Sequence, residues 1–285
     1  MGGRAPLDGG RARCAILFAL TGQYKIVGGG VDSTPHGAAI TARALGVKGP
    51  RGWAFRDVDV AAPPGSLIAV QGPSGSGRTC LLLALTGRMR AAAGRAEVAG
   101  LPLPRKMAAV RRVSALAHVP GVAELDASLT VAEHLRERAL LERRFNGSPR
   151  ALLRPRAERA AERRSRVESA LAAAGLDPGA LPGGEDTAVR RLDRLQALRL
   201  SVALALIGEP RLVAVDDTDL KLSPAEREQV WELLRSLARA GTTVLAVCSE
   251  APRDAVVVTT ARAARDAGAD TTKGAADAFA EAGRA

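Results

Sequence analysis

Short apolar runs and stretches with helical periodicity alternate along most of the chain. Apolar runs of strand length occupy residues 40–47, 55–60, 66–71, 211–215 and 243–247, with shorter candidates at 97–98 and 113–117. Helical patterns occupy residues 79–88, 192–207 and 224–240. Strands that alternate with helices are typical of a largely parallel sheet with helices on its faces. The pattern therefore predicts an α/β fold.

Residues 129–174 interrupt this alternation with long helical periodicity. Thr130 is a candidate N-cap for the first of these helices. We interpret residues from about 125 to 205 as a helical subdomain inserted into the α/β domain. The segment between Arg136 and Val167 has 11 arginines and four glutamates. Such a run favours a solvated basic face, and contact with a membrane partner or with anionic head groups is the alternative.

The two ends of the chain carry little periodicity. Residues 1–37 are rich in glycine, and we expect them to be disordered or to be an extension upstream of a translation start at Val31. Residues 261–285 consist mostly of small residues, and we expect a disordered tail. Residues 38–260 are then expected to form the folded domain.

A glycine-rich loop lies between the third predicted strand and the first predicted helix. Its sequence, GPSGSGRT, matches the phosphate-binding loop G-x-x-x-x-G-K-[ST] at every position except Arg78, which replaces the lysine. Glycines let backbone N–H groups surround phosphate oxygens, and the helix N-terminus adds a partial positive charge. A glycine-rich turn without a ligand is the alternative. The candidate nucleotide-binding residues are Gly72, Pro73, Ser74, Gly75, Ser76, Gly77, Arg78, Thr79 and Cys80.

Phosphoryl transfer also needs Mg²⁺, held by a hydroxyl and a carboxylate. Thr79 supplies the hydroxyl, and Asp216 follows the apolar strand LVAV, where the carboxylate is expected. Together with the loop these residues predict a P-loop NTPase that binds ATP and Mg²⁺. Arg78 keeps the positive charge and can bind phosphate with two N–H groups, but its long planar group alters the geometry at the β- and γ-phosphates. Binding is therefore expected, whereas efficient hydrolysis is not.

The composition changes this picture little. The formal net charge is +11, but only five of the 41 basic residues are lysine, a bias that favours GC-rich coding over a selected basic surface. Nucleic acid is an unlikely partner, because Phe145 is the one ring in the arginine-rich segment that could stack on bases. Cys14, Cys80 and Cys248 lack metal-type spacing and are expected to be reduced thiols. For Cys80, packing is the favoured role and redox sensing the alternative.

Two stretches of sequence resemble the ATP-binding cassette of ABC transporters. The segment GPSGSGRTCLLLALTGR is similar to the loop and following helix of that family, and RLDRLQALRLSVALALIGEPRLVAVDD is similar to its signature helix and Walker B strand. The resemblance covers residues from about 40 to 258. It implies a nucleotide-binding domain that works with a multi-span membrane permease and forms a homodimer or heterodimer. It also implies a cytoplasmic protein held peripherally at the inner face of the cell membrane by its partner.

The signature-like segment departs from the LSGGQ sequence of the family. In the family, its serine and glycines contact the γ-phosphate of ATP held by the opposite subunit. Here an aspartate adds negative charge at the serine position, and a leucine side chain replaces a glycine where backbone must approach closely. The resemblance therefore implies a half-site that does not close on ATP. The five residues are Leu192, Asp193, Arg194, Leu195 and Gln196.

The catalytic positions implied by the resemblance also differ. Asp217 stands at the glutamate that orients water, one methylene shorter, and Ser249 stands at the switch histidine. His118 stands at the glutamine that touches the metal's water, with an ordinary strand-end histidine as the alternative. The D-loop aspartate position falls near Ser223, so that aspartate is missing too. Trp53 is a candidate for stacking on adenine, with strand packing as the alternative.

Three functions remain open at this point. The first is an ATP-binding subunit of an ABC transporter-like complex, in which hydrolysis is slow or impaired. The second is a regulatory protein outside transport that binds nucleotide without turnover. The third is a DNA-linked ATPase of related fold, which the basic charge favours but which lacks long coiled-coil heptads. No apolar run reaches the length of a membrane span, so any membrane role is expected to require a partner.

Overall fold

A computed structural model of the chain describes residues 36–50, 52–146 and 155–261. These residues belong to one compact unit, Thr34–Ala285. The expectations for residues 1–35 and 262–285, including the start at Val31, the role of Cys14 and the terminal tail, lie outside the described residues.

The strands of the described residues form two sheets. A five-stranded sheet is parallel throughout and has the order β6-β7-β8-β3-β9. A four-stranded antiparallel sheet has the order β2-β1-β4-β5. The strands are β1 (Ile40–Gly49), β2 (Gly52–Ala62), β3 (Leu67–Gln71), β4 (Ala93–Val98), β5 (Leu101–Leu103), β6 (Ser114–Leu116), β7 (Leu212–Val215), β8 (Thr243–Cys248) and β9 (Val256–Thr259).

Six α-helices connect and cover these strands within the described residues. Helix α1 follows β3 directly, and α6 connects β7 to β8, as the alternating pattern predicts. The helices are α1 (Arg78–Leu85), α2 (Met107–Val113), α3 (Val131–Asn146), α4 (Arg156–Ala174), α5 (Arg194–Leu206) and α6 (Pro224–Arg239).

The central strands of the parallel sheet are buried on both faces. Every residue of β7 and β8 is buried, which explains their continuous apolar sequences. Alternate residues of these strands pack into two separate cores. One core includes Val213 and faces α5 and α6, and the other includes Leu212 and faces α1 and the antiparallel sheet. The parallel sheet is therefore a middle layer, whose carboxyl edge holds the loops that follow β3, β7 and β8.

The region after β6 is helical, as the sequence pattern predicts. The Thr130 hydroxyl accepts a hydrogen bond from the Glu133 N–H at 3.2 Å, and Glu133 accepts one from the Thr130 N–H at 2.7 Å, which confirms Thr130 as the N-cap. Helices α3, α4 and α5 contact one another. Among the described residues, no helix combines the length and the apolar character that crossing a bilayer requires.

Some boundaries differ from the predicted ones. Helix α1 ends at Leu85, not at residue 88, because the chain turns at Gly87 with φ 71°. The candidate strand at 113–117 is the three-residue β6, preceded by α2. The sequence predicts a single, mainly parallel sheet, and the structure adds the separate antiparallel sheet. The α/β fold with a parallel sheet flanked by helices is confirmed.

Candidate functional site

The phosphate loop connects β3 to α1 at the carboxyl edge of the parallel sheet. Gly75 and Gly77 have φ of 77° and 82°, in the left-handed region that glycine adopts without strain. A Cβ at Gly77 would lie 2.5 Å from the Ala54 carbonyl oxygen, so a side chain does not fit there. A Cβ at Gly75 would meet no atom within 4 Å. One glycine is thus required by packing and the other by backbone conformation alone.

A buried hydroxyl pair fixes the loop to the end of β9. Ser76 and Thr260 are both fully buried, and their side-chain oxygens are 2.7 Å apart. A Cβ at Gly72 would lie 2.5 Å from the Thr260 carbonyl oxygen. Pro73, Ser74 and Gly75 are exposed at the open side of the loop. The base of the loop is therefore rigidly anchored, while its tip faces solvent.

The predicted magnesium ligands are brought together beneath the loop. The Thr79 hydroxyl donates to Asp216 Oδ2 at 2.6 Å, and the other Asp216 oxygen accepts from the Asp217 N–H at 2.9 Å. Burial raises the pKa of Asp216, while the bond from Thr79 opposes that rise. A hydroxyl and a carboxylate are ligands that Mg²⁺ accepts, with water and phosphate oxygens supplying the rest. The residues present fit the ion.

The described residues hold no larger metal cluster that would compete with this assignment. Within the ranges that the structure describes, no group of three or more His, Cys, Asp or Glu side chains could hold a metal ion. Mg²⁺ typically takes one or two protein oxygens and completes its shell with water and substrate phosphates. The pair of Thr79 and Asp216 is consistent with such a site.

Arg78 crosses from the loop to the end of β8. Its Nη1 donates to the carbonyl oxygen of Cys248 at 2.7 Å. Ser249 follows, exposed, and its backbone N–H donates to Asp219 Oδ2 at 2.6 Å. Arg78 and Ser249, predicted from separate motifs, thus lie at adjacent points of the same edge. Asp217 precedes Asp219 by two residues, and its backbone is left-handed, with φ 49°.

The two described cysteines are free thiols. Burial raises the pKa of Cys248 to about 12, and the Asp219 carboxylate adds to the rise. Burial, and then the Asp216 carboxylate, also raise the pKa of Cys80. High pKa values disfavour the thiolate, the reactive form. Cys80 lies in the first turn of α1 directly behind the loop, a placement that agrees with the packing role.

His118 joins the Walker B strand to the signature-like segment. Its carbonyl oxygen accepts a hydrogen bond from the Asp216 N–H at 2.7 Å, and its Nε2 lies 3.1 Å from Nη2 of Arg194. Since a guanidinium only donates, Nε2 is the acceptor and carries no proton. Burial and Arg194 lower the pKa of His118, and Asp217, Glu124 and Asp216 oppose the shift. The Nε2 lone pair is thereby engaged and is not free to accept from a metal-bound water.

The rest of the signature-like segment is used for capping and packing. Asp193 accepts from the Gln196 N–H at 2.7 Å, and Gln196 accepts from the Asp193 N–H at 3.1 Å, forming the capping box of α5. Leu192 and Leu195 are partly buried and pack against the hydrophobic core. A carboxylate at a helix N-terminus occupies the place where a phosphate would bind. In this chain Asp193 and Gln196 therefore cap α5, and Leu192 and Leu195 pack on the core.

Trp53 lies on β2 near the loop. The Lys48 Nζ is 6.0 Å from the centroid of its ring, and a Cβ at Gly46 would lie 2.9 Å from the ring. Trp53 is partly buried, whereas Phe55, the other aromatic in this region, is fully buried. The strand contacts of Trp53 are present in the structure, and its stacking on adenine stays a prediction.

Several contacts at this edge have no counterpart in the sequence predictions. Thr260 binds the loop, Asp219 holds the Ser249 backbone, and the Gln71 side chain accepts from the Ala251 N–H at 3.2 Å. Arg194 reaches the Walker B side of the same chain. A polar residue stands at the end of each apolar run: Gln71 ends β3 and Thr260 follows β9. This signal would have indicated the contact of Thr260 with the loop and the contact of Gln71 with Ala251.

The chain is similar to known proteins over most of the described region. The family model described as ABC transporter matches residues 55–219. "Nod factor export ATP-binding protein I" of Cupriavidus metallidurans is 33% identical over 190 residues, covering 66% of this chain and 55% of that protein. "ABC transporter A family member 8" of Arabidopsis thaliana is 26% identical over 198 residues, 69% of this chain and 20% of that protein. The chain thus spans about half the length of the Nod factor relative.

Solved structures share the fold. An ATP-binding cassette solved as a dimer in a post-hydrolysis state with ADP and Pi superposes with a TM-score of 0.58 at 20% identity, covering 74% of this chain and 88% of that chain. CbiO1 from Clostridium perfringens, part of an ABC transporter complex, gives a TM-score of 0.59 at 19% identity, covering 74% and 78%. With the family match over residues 55–219, more than half of its length, the chain belongs to the ABC transporter family.

Proposed function

We propose that this chain is an ATP-binding subunit that binds Mg-ATP at the loop Gly72–Thr79 and acts with a membrane permease, and that its hydrolysis is slow or impaired. The observation that carries the proposal is the hydrogen bond between Thr79 and Asp216 at the base of the loop. These two residues supply a hydroxyl and a carboxylate, which would hold the Mg²⁺ of a bound nucleotide. Bound Mg²⁺ would neutralise phosphate charge as it develops during transfer.

Binding is supported by the loop and by the helix behind it. The first-turn N–H groups of α1 and the guanidinium of Arg78 supply positive charge at the same place. To contact a phosphate, Arg78 exchanges its bond with the Cys248 carbonyl for one with the nucleotide. A charged acceptor binds an arginine more strongly than a neutral carbonyl does, so the exchange is favourable.

Impaired turnover is supported by the groups that surround the γ-phosphate position. Asp217 is one methylene shorter than the glutamate of the family, and a misplacement of about 1 Å can reduce rates by on the order of 100-fold. His118 Nε2 is engaged by Arg194. Ser249 carries no positive charge. Asp193 and Leu195 cap and pack α5 in place of the serine and glycine that the resemblance implies for a second nucleotide.

The partners are inferred from family membership. The names of the relatives refer to export of Nod factor and to ABC transporters. We assign this chain a multi-span permease partner and a homodimeric or heterodimeric arrangement with a second nucleotide-binding domain. The protein would then be cytoplasmic and held peripherally at the inner face of the membrane by that permease.

A nucleotide titration with Mg²⁺, followed by a phosphate-release assay on the same sample, tests this function. The wild-type chain is expected to bind ATP more tightly with Mg²⁺ than with EDTA, and to release little phosphate. Thr79→Ala removes the hydroxyl that would bind Mg²⁺, and should abolish the increase in ATP affinity that Mg²⁺ produces. Thr41→Ala, an exposed strand threonine, is the matched control and should retain it. Absence of ATP binding by the wild type contradicts the proposal.

A regulatory protein that binds nucleotide without turnover is the second candidate. The capping box of α5 favours it, because Asp193 puts a carboxylate at the helix start where the resemblance implies contact with a second nucleotide. Phosphate release that remains absent in the presence of the permease and of a second nucleotide-binding subunit selects this function. Release that rises on adding them selects the transporter subunit.

A further inference from the structure

We propose that binding of nucleotide at the phosphate loop releases the switch segment, residues 248–251. Arg78 and Asp219 hold opposite sides of a single peptide group at the start of this segment, and nucleotide draws Arg78 away from it. The inference rests on the proposed function, since it requires that the loop bind nucleotide. Asp219 is then a positioning residue, which acts on the nucleotide site through this peptide group and not by contact with phosphate.

The shared peptide group joins Cys248 to Ser249, at the end of β8. Its carbonyl oxygen accepts a hydrogen bond from Arg78 Nη1 at 2.7 Å, and its N–H donates to Asp219 Oδ2 at 2.6 Å. A trans peptide is planar, and its C=O and N–H point in opposite directions. The guanidinium and the carboxylate therefore approach from opposite sides, and neither group of the peptide can turn without the other.

The two contacts strengthen each other. Each involves a charged side chain, and hydrogen bonds of this kind are stronger than those between neutral groups. A donor at the oxygen and an acceptor at the N–H polarise the peptide in the same direction. Burial raises the pKa of the Cys248 thiol, Asp219 adds to the rise and Arg78 opposes it, as expected for two opposite charges near one residue. Loss of the bond from Arg78 therefore weakens the bond to Asp219.

The switch segment is exposed between its two ends. Ser249 and Glu250 are exposed. In the described part of the chain, the next backbone N–H with a hydrogen bond is that of Ala251, which donates to Gln71 Oε1 at 3.2 Å. A segment with exposed residues and few backbone hydrogen bonds opens at a low cost in free energy. The peptide held between the two charges therefore determines how firmly Ser249 is placed.

Asp219 itself is placed by the residue before it. Thr218 is buried, and both its N–H and its hydroxyl donate to the Val247 carbonyl oxygen, at 3.1 and 2.9 Å. These bonds fix the start of the connection between β7 and α6 to strand β8, and they do not involve Arg78. The carboxylate thus stays in place when nucleotide binds, and Ser249 is the partner that is released.

Nucleotide competes with the Cys248 carbonyl for Arg78. A phosphate is a charged acceptor and binds a guanidinium more strongly than a neutral carbonyl does. Coupling between two binding events is reciprocal, so any contact that strengthens the bond of Arg78 to the carbonyl also weakens nucleotide binding. Asp219 strengthens that bond through the peptide, and it therefore lowers the affinity for nucleotide.

Hydrogen exchange at the Ser249 amide tests the release, with the Mg²⁺ complex of a non-hydrolysable ATP analogue as the ligand. In the wild type, the analogue is expected to accelerate exchange about tenfold, a factor that corresponds to loss of about one hydrogen bond. Phosphate adds negative charge, which by itself slows base-catalysed exchange, so acceleration reports the lost bond. Arg78→Ala removes the same bond and should show the faster exchange without nucleotide.

The affinity for the same analogue tests the role of Asp219. Asp219→Asn weakens the bond to the Ser249 N–H and should raise the affinity about threefold. In the Arg78→Ala background the same substitution should leave the affinity unchanged, because no guanidinium remains to be released. Asp186→Asn makes the same change at an exposed aspartate and is the matched control, which should leave the affinity unchanged.

Each outcome separates this inference from the proposed function. A wild type that binds no nucleotide removes both. A wild type that binds the analogue with unchanged exchange at Ser249 overturns the inference alone, since Arg78 then keeps its bond to Cys248. A rise in affinity from Asp219→Asn that is as large in the Arg78→Ala background also overturns it, because it indicates a general electrostatic effect. If Arg78→Ala binds the analogue too weakly to measure, its exchange at Ser249 without nucleotide decides, and the wild-type rate overturns the inference.

Discussion

The phosphate loop and the signature-like segment both stand at the start of a helix, but their side chains are used in different ways. In the loop Gly72–Thr79, backbone N–H groups at the open side are left without side-chain caps, and the N-cap of α1 is Gly77. In the segment Leu192–Gln196, Asp193 and Gln196 satisfy the N–H groups of α5, and the leucines join the core. One helix start is open to an anion, and the other is closed by a carboxylate.

Under the proposed function, this difference means that a helix start can keep its fold while the motif that occupies it loses its function. Both segments begin a helix, and of these two helix starts the one at the loop lacks a side-chain cap. Capping a helix stabilises it by about 1 kcal/mol, whereas an open helix start contributes to binding only when a ligand arrives. The loop is arranged for nucleotide, and the signature-like segment is arranged for stability of the chain.

The largest expected effect is on stability, and it distinguishes Gly77 from Gly75 in the loop. Gly77→Ala places a Cβ 2.5 Å from the Ala54 carbonyl in a left-handed backbone, and should lower the free energy of unfolding by about 3 kcal/mol. Gly75→Ala has the same backbone strain but open space, and should cost about 1 kcal/mol. Denaturant unfolding measures both. If the two substitutions lowered the free energy of unfolding equally, packing of the loop on β2 would contribute nothing to stability.

The next effect tests which of the two regions limits turnover. Arg78→Lys with Asp217→Glu restores a point charge at the loop and a full-length carboxylate after β7, and should raise phosphate release about tenfold. The control, Arg78→Lys with Asp217→Asn, lacks the carboxylate and should show no rise. If the first variant releases phosphate no faster than wild type, the signature-like segment and Ser249 limit the rate of hydrolysis, and the loop does not.

A smaller effect tests the closed helix start. Asp193→Ala removes the cap of α5 and should lower the free energy of unfolding by about 1 kcal/mol, measured in denaturant. Asp193→Ser retains a capping oxygen without the charge, and should remain within about 0.5 kcal/mol of wild type. If Asp193→Ala is as stable as wild type, the capping box does not stabilise the chain, and the contrast between the two helix starts fails.

The smallest expected effect is a change in the rate at which the thiols near the loop are alkylated. Burial holds the pKa of Cys248 at about 12, so at pH 8 only about one thiol in 10,000 is ionised. Cys80 is partly exposed behind the loop and should react with an alkylating reagent faster than Cys248. Mg-ATP should slow labelling of Cys80 a few-fold, as mass spectrometry of peptides would show. Faster labelling of Cys248 than of Cys80 contradicts the placement of both thiols.

Local sequence patterns predict the parts of the site that are close together in the chain. The β3 strand, the loop and α1 follow from an apolar run and a motif of fixed spacing, and Asp216 follows from its place after β7. Contacts between distant residues carry no such signal. His118 and Arg194 are 76 residues apart, and Ser76 and Thr260 are 184 apart. Their pairing depends on how the strands order in the sheet, which composition and periodicity do not specify.

The capping box of α5 has a consequence for assembly. Asp193 and Gln196 order the first turn of α5 within one chain, before any second subunit is present. A segment that is already ordered loses little conformational entropy on association, so docking of a second subunit carries a small entropic cost here. The capped first turn of α5 also has little freedom left for a bound nucleotide to remove. Association through this face should therefore be nearly independent of whether ATP or ADP is bound.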